Sequence, residues 1–112
     1  MRAGRDATVW GFGPPNEEDP MRRVVLFKRK PDADPAAFEA AILALQQLDG
    51  HIDEIDGWWV ESNAGNEGMW DAAIVGDFAD AAAIKAYGDH PLHVEAATAV
   101  AAVADFAVFD SK

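Results

Sequence analysis

One tyrosine and two histidines lie within seven residues of one another, in the tract YGDHPLH at residues 87–93. Histidine titrates close to neutral pH, and a phenol can donate or accept a hydrogen bond, so these residues suit proton transfer. Pro91 fits the first turn of a helix, where its missing N–H costs nothing. The tract therefore predicts a junction between two helices, which can place Tyr87 and one histidine at the mouth of one cavity. Helix capping plus a partly buried aromatic ring explains the same residues without any chemistry.

The composition excludes several other kinds of site. The chain has 112 residues and no cysteine, which excludes disulfides, thiolate metal sites and cysteine nucleophiles. The sequence contains no nucleotide-binding glycine loop, no serine–histidine–aspartate order and no zinc-ligand spacing. We therefore expect no metal site.

The charge of the chain argues against nucleic acid and anionic membranes as partners. The formal net charge is −11 and the sequence pI is near 4.4. No apolar run approaches the length of a membrane span, and no signal-peptide pattern follows Met1, so we expect a cytoplasmic protein. The main cluster of positive charge brackets a strand that looks buried and forms no stripe: Arg22, Arg23, Lys28, Arg29 and Lys30.

The composition divides the chain into an arm and one domain. Residues 1–20 are rich in glycine, proline and acids, which predicts an extended arm. Trp10 and Phe12 are too apolar for a free tail, so we expect them to dock on the body or on a partner subunit. Residues 21–112 form the domain, which is long enough to bury a core.

The domain shows alternating strand and helix signals. Residues 24–27 (VVLF) are a short apolar run of β-formers, which predicts a strand with both faces covered. Asp34 caps a helix with Pro35 at its first position, and residues 49–50 (DG) end it. The predicted elements that follow are a strand over 57–62, a turn over 63–68, a strand over 69–78, a helix from Asp80 to Gly88, a short helix from His90 to about Val100, and a strand over 103–109.

This order is β-α-β-β-α-β, the ferredoxin-like α+β unit, in which helices cover one face of a four-stranded antiparallel sheet. The other face would carry an apolar set that is rarely left in water: Val24, Leu26, Ala73, Val75 and Phe109. Pairing with a second copy is the simplest way to cover this face, so the sequence predicts a two-fold homodimer.

The chain resembles the stress-responsive dimeric α/β-barrel proteins, the Dabb family, over about residues 21 to 110. The resemblance rests on five motifs in the right order: residues 21–28 (MRRVVLFK), 34–35 (DP), 70–75 (WDAAIV), 86–94 (AYGDHPLHV) and 108–110 (VFD). It implies a homodimer in which two ferredoxin-like sheets close into a central β-barrel. It does not fix an activity, because most of the family has no established one.

The characterised enzymes of this family include plant polyketide cyclases such as olivetolic acid cyclase, which use no cofactor and work with a Tyr–His pair. That pair maps onto Tyr87 and His93. The resemblance implies that His93 abstracts a proton next to a carbonyl, while Tyr87 holds or protonates the carbonyl oxygen. A small hydrophobic or anionic carbonyl ligand would bind in a cavity between sheet and helices, lined by Arg23, Val25, Phe27, Ile42, Leu45, Ala72, Ile74, Phe106 and Val108.

Two positions depart from the family pattern. The residue before the VVLF run is often histidine in the family and is Arg23 here, while Ala72 replaces another common histidine. Arg23 stays protonated, so it cannot act as a base, but it could bind a carboxylate or phenolate through two hydrogen bonds. The alternative is that Arg23 bends outward and pairs with one of the many acids.

Three functions remain open on the sequence. The first is a cofactor-free cyclase or isomerase that acts on a carbonyl, polyketide-like compound. The second is a stress-associated or ligand-binding dimer that has the same cavity but no chemistry. The third is a cofactor-free monooxygenase of the same superfamily, which the His-Pro-x-His tract at residues 90–93 disfavours.

Overall fold

A computed structural model describes residues 19–65 and 68–112. The prediction that Trp10 and Phe12 dock on the body or on a partner lies outside these residues. The described elements are β1 (Met21–Arg29), α1 (Pro35–Gln46), β2 (Ile55–Ser62), β3 (Ala72–Phe78), α2 (Ala81–Asp89), α3 (Pro91–Val103) and β4 (Ala104–Ser111). Among the described residues, no helix is both long enough and apolar enough to cross a membrane.

The four strands form one antiparallel sheet in the order β2-β3-β1-β4. This order places the first and third strands in the centre and the second and fourth at the edges. The predicted ferredoxin-like α+β fold is therefore confirmed, with three helices where the β-α-β-β-α-β formula has two.

The strand register sorts the side chains into two faces, because neighbouring residues in a strand point to opposite sides of the sheet. On the helix-covered face, one row crosses all four strands: Trp58, Gly76, Arg23 and Asp110. We call this the site row. On the helix-free face, the adjacent row is wholly apolar, and we call it the outer row: Trp59, Val75, Val24 and Phe109.

The core lies between the sheet and the helices. Its most buried members include Phe78 of β3 and Leu45 of α1, and helix α1 supplies four buried residues in all: Phe38, Ala41, Ile42 and Leu45. The Trp58 side chain packs against this core and donates a hydrogen bond from its indole nitrogen to the Leu45 carbonyl oxygen at 2.9 Å. Trp59 points to the other face and is half exposed. The two tryptophans therefore face opposite sides of the sheet.

Side chains cap the first turn of each helix. Asp34 accepts a hydrogen bond from the backbone nitrogen of Ala36 at the start of α1, as predicted. Asp80 accepts a hydrogen bond from the backbone nitrogen of Ala83 at the start of α2. At the start of α3, the Nδ1 atom of His90 accepts from the backbone nitrogen of Leu92 at 3.1 Å. His90 therefore serves to begin the helix that carries His93.

Several element ends differ from the prediction. Helix α1 stops at Gln46, and a turn then leads to Gly50, whose positive φ of 82° ends it. Helix α2 runs through Gly88 to Asp89 because Gly88 does not adopt a left-handed conformation. Strand β3 begins at Ala72 and not at residue 69, and two residues earlier the Trp70 carbonyl oxygen accepts a hydrogen bond from the Asn63 side chain.

Two further differences concern α3 and β4. Helix α3 continues past the predicted end near Val100 to Val103, across alanines 101 and 102, which are strong helix formers. Strand β4 accordingly begins one residue later than predicted, at Ala104, and extends to Ser111. These changes leave the order of the elements as predicted and set the length of α3, on which His93 lies.

Candidate functional site

The structure brings Tyr87 and His93 together. Tyr87 lies near the end of α2 and His93 in the first turn of α3, and the two ring centroids are 4.3 Å apart at an angle of 50°. The short connection between the helices is held by a hydrogen bond from the backbone nitrogen of His90 to the Tyr87 carbonyl oxygen. The helix junction predicted from residues 87–93 therefore places both rings in direct contact.

One hydrogen bond orients the His93 imidazole. Its Nδ1 atom lies 3.0 Å from the carbonyl oxygen of Gly88. A carbonyl oxygen can only accept, so Nδ1 carries the proton and donates it. In the neutral ring this leaves the lone pair on Nε2, which has no hydrogen-bond partner among the described residues. His93 thus presents a free basic nitrogen from a fixed ring.

The surroundings of His93 favour the neutral form. Partial burial is the main cause that lowers the pKa of His93 below its ordinary value, and the charges of Arg23 and His90 lower it further. The hydrogen bond to Gly88 acts in the opposite direction and raises the pKa, because it favours the protonated ring. The net result is a histidine that is uncharged at neutral pH and can accept a proton.

Tyr87 lies in an aromatic cluster. Its ring centroid is 5.0 Å from that of Phe78 and 5.8 Å from that of Trp58, and its side chain is almost fully buried. Burial raises the pKa of Tyr87 to about 12, against a smaller lowering by the charge of Arg23. The phenol is therefore protonated at neutral pH. No described residue forms a hydrogen bond with the Tyr87 hydroxyl. Since no buried side-chain polar atom of the described residues lacks a hydrogen-bond partner, this hydroxyl is accessible to solvent.

Arg23 pairs with an acid but does not leave the helix-covered face. Its Nε and Nη2 atoms donate to the two carboxylate oxygens of Asp110 at 2.8 and 3.0 Å, so it does pair with an acid. Yet it stays on the helix-covered face, close enough for its charge to act on both Tyr87 and His93. Its pKa is raised, chiefly by the hydrogen bond to Asp110, so it carries a positive charge throughout.

The eight apolar residues predicted to line the cavity fall into two groups. Six of them are buried members of the core: Val25, Phe27, Ile42, Leu45, Ala72 and Ile74. The other two, Phe106 and Val108 on β4, lie on the helix-covered face opposite Phe27 and Val25 and remain 54% and 49% exposed. The helices thus leave an apolar strip of this edge strand uncovered next to Arg23. That these residues line a ligand site stays a prediction.

Sequence reasoning missed three residues of this site. Asp110, which holds Arg23, is 87 positions away in sequence, and only the pairing of β1 with β4 brings them together. Trp58 reaches Tyr87 because Gly76 opposite it has no side chain; a Cβ there would lie 2.9 Å from the indole. The Gly88 carbonyl was within reach of sequence reasoning, because it precedes His93 by five residues across a predicted helix junction.

The arrangement combines a neutral histidine base, a neutral phenol donor and a fixed guanidinium. These groups can remove a proton from carbon and stabilise the oxyanion that forms. Across residues 19–65 and 68–112, no three histidine, aspartate or glutamate side chains converge to hold a metal ion.

Comparison with protein families identifies the class to which the chain belongs. The model of the Stress responsive A/B Barrel Domain, Dabb, matches residues 21–112. The chain is therefore a member of the Dabb family, and the resemblance seen in its motifs is confirmed. Comparison with curated proteins found no match.

Solved structures share this fold. A dimeric ferredoxin-like protein of unknown function from Thermobifida fusca is 26% identical, with a TM-score of 0.75, and the match covers 88% of this chain and 95% of that one. The hydroxynitrile lyase of Passiflora edulis is 16% identical with a TM-score of 0.70, covering 84% and 93%. SnoaB, a cofactor-independent oxygenase from Streptomyces nogalater, is 15% identical with a TM-score of 0.68, covering 84% and 92%.

Proposed function

We propose that this Dabb protein is a cofactor-free cyclase or isomerase that acts on a small carbonyl compound of the polyketide type. The observation that carries the proposal is the contact between Tyr87 and His93, with the His93 ring fixed by its bond to Gly88. A base and a hydroxyl donor in contact, one neutral and the other protonated at neutral pH, match the needs of enolisation.

The chemical step follows from these roles. The Nε2 atom of His93 takes a proton from the carbon next to the carbonyl, and the C–H electron pair moves to form an enolate. The Tyr87 hydroxyl donates a hydrogen bond to the enolate oxygen, while the positive charge of Arg23 lowers the energy of the developing anion. In a cyclisation, the enolate carbon attacks a second carbonyl of the same molecule, and the alkoxide that forms takes the proton held by His93. In an isomerisation, a conjugated enolate takes that proton from His93 at a different carbon from the one that lost it.

The fold comparisons support catalysis of this general kind. Two proteins with the same fold are a hydroxynitrile lyase and a cofactor-independent oxygenase, so this architecture supports enzymes in other organisms. Their identities of 16% and 15% carry the fold alone, so the assignment rests on the residues of this chain.

We also propose that the chain forms a homodimer through the helix-free face, closing two sheets into a central barrel. The outer row presents Phe109 at 65% exposure and Trp59 at 50%, flanked by Leu26 and Ala73. Three helices cover the other face, and no further layer of the described residues covers this one. The dimeric Thermobifida fusca protein of the same fold supports this assembly.

The test of the enzyme proposal is hydrogen–deuterium exchange next to a carbonyl. A graded series of alkyl and aryl methyl ketones is incubated in D₂O with the protein, and loss of the α-proton signal is followed by NMR. His93→Ala should abolish the enzyme-dependent exchange. Tyr87→Phe should slow it by about one to three powers of ten, since one oxyanion donor is lost. His51→Ala, a change at an exposed histidine, is the control.

The contrary result would be exchange that is no faster with the wild-type protein than with His93→Ala for every ketone in the series. The alternative function is then a ligand-binding dimer without chemistry. Arg23 and Ala72, which replace histidines common in the family, favour this alternative because they remove two further acid–base groups from the site.

A further inference from the structure

The Arg23–Asp110 pair leaves part of the guanidinium unused. A guanidinium has five N–H donors arranged in a plane. The bonds to Asp110 use the Nε–H and one N–H of Nη2, which together form the side of the group. Three N–H donors remain, and none of them bonds to a described residue. Two of these, one on Nη1 and one on Nη2, point the same way and form a second fork at the outer end of the group.

Asp110 fixes where this outer fork points. Two parallel hydrogen bonds to one carboxylate hold a guanidinium in a single plane, whereas one bond would let it turn. The Arg23 side chain is 27% exposed, so the fork is neither sealed in the core nor free in solvent. The binding geometry is therefore set before a ligand arrives, which lowers the ordering cost of binding.

Arg23 lies close to the Tyr–His pair. Arg23 is directly across from Gly76 in the site row, and Gly76 is the residue over which Trp58 reaches Tyr87. The charge of Arg23 acts on both Tyr87 and His93, which agrees with this placement. On the other side, the half-exposed apolar strip of β4 begins at Val108.

We propose that the outer fork of Arg23, held in place by Asp110, binds a carboxylate of the ligand beside Tyr87 and His93. The ligand class is therefore a carbonyl compound that also carries a carboxylate within a few bonds of the carbonyl. A carboxylate offers two oxygens at the spacing of the two fork nitrogens, which a ketone or an alcohol does not. As an account of substrate choice, this inference rests on the proposed function; as an account of binding, it stands without it.

The net charge makes such a site selective. The chain carries −11, so anions gain nothing from the protein as a whole, and a carboxylate ligand needs a specific partner. Arg22 provides an internal comparison. It makes the same two-bonded pair with Asp77 at 2.7 and 3.0 Å, but on the helix-free face, away from Tyr87 and His93. The same kind of arginine–aspartate pair thus occurs at the candidate site and away from it.

The test is a binding titration with levulinate and with its uncharged methyl ester. Binding is followed through the indole N–H signal of Trp58 in nitrogen–proton NMR spectra, which also report whether each variant is folded. The wild-type protein should bind levulinate about tenfold or more tightly than the ester, the effect expected of a charge-assisted hydrogen bond. Arg23→Gln should remove the preference, and Arg23→Lys should keep only part of it, because lysine retains the charge and loses the fork. Arg22→Gln should leave it intact.

The outcomes separate this inference from the enzyme proposal. His93→Ala should keep the preference for levulinate while losing exchange chemistry, because binding does not need the base. A preference without any turnover would count against the enzyme alone, and turnover without a preference would count against the carboxylate site alone. Equal behaviour of acid and ester, including no measurable binding of either, would overturn the inference. So would a full preference in Arg23→Lys or its loss in Arg22→Gln.

Discussion

At the scale of single residues, the site depends on keeping His93 uncharged next to a cation. Burial alone disfavours the protonated imidazole, and the positive charge of Arg23 adds to this effect. Asp110 offsets part of that charge through its two hydrogen bonds. Part of the lowering of the His93 pKa therefore comes from a residue on β1, Arg23, whose own position is set by a residue on β4, Asp110.

This dependence gives a prediction for NMR titration of the His93 ring. In the wild-type protein the midpoint should lie below about 6.5, so His93 remains a free base when the pH is mildly acidic. In Arg23→Gln the cation is gone and the Asp110 carboxylate is left without its partner, so the midpoint should rise. Any exchange activity should then be lost at higher pH than in the wild type, because activity falls as the base becomes protonated.

Arg22→Gln is the matched control for this titration, because it removes the same charge from the opposite face of β1. It should leave the midpoint of His93 unchanged. Equal shifts in both variants would mean that His93 responds to the overall charge of the protein and not to Arg23.

At the scale of elements, both the helix junction and the sheet are needed to position the residues of the candidate site. The junction fixes Tyr87 relative to His93, but the place of the Tyr87 ring over the sheet depends on Trp58. Trp58 in turn needs the open space above Gly76, where a Cβ would approach the indole to 2.9 Å and the Phe78 ring to 3.1 Å. The absence of a side chain at Gly76 in β3 thus helps to position Tyr87.

Replacing Gly76 tests this account. Gly76→Ala should lower the free energy of unfolding by about 1–3 kcal/mol, the usual cost of an added methyl in a packed region. It should also shift the indole N–H signal of Trp58, since the bond to the Leu45 carbonyl would be disturbed. Urea unfolding and NMR spectra measure the two effects.

The control for this change is Gly88→Ala. Gly88 lies in helix α2, and nothing lies within 4 Å of the position of an added Cβ. Alanine there should raise the free energy of unfolding by about 0.4–1 kcal/mol, because it restricts the unfolded chain. A Gly76→Ala protein as stable as the wild type would show that Trp58 is not confined by the glycine.

The sequence predicts the local parts of this structure better than the distant ones. The start of α1 at Asp34 and the start of α3 at Pro91 follow from a few adjacent residues and were predicted. The contact of Tyr87 with His93 likewise follows from one short tract. The partner of Arg23 could not be chosen among 20 acidic residues, because that choice depends on how β1 and β4 align.

At the scale of the whole molecule, the helix-free face is an apolar surface that the described helices leave uncovered. Phe109→Asp should disrupt a dimer built on this face, because a two-fold contact would bury the new carboxylate twice. The dissociation constant should rise by on the order of a hundredfold or more. Analytical ultracentrifugation measures the change.

Leu43→Asp provides the control, since Leu43 is half exposed on helix α1, away from the sheet face. Its association should match the wild type. A wild-type protein that sediments as a monomer at low micromolar concentration would contradict the proposed assembly.

The alternation of side chains along β2 also makes the molecule easy to observe with light. Trp58 and Trp59 are neighbours in the chain, yet Trp58 contacts Tyr87 on one side of the sheet and Trp59 is half exposed on the other. With the other three tryptophans replaced by phenylalanine, emission from Trp58 alone would follow ligand entry, and in a second variant emission from Trp59 alone would follow subunit association. Two adjacent residues, Trp58 and Trp59, thus report separately by fluorescence on the two faces of one sheet.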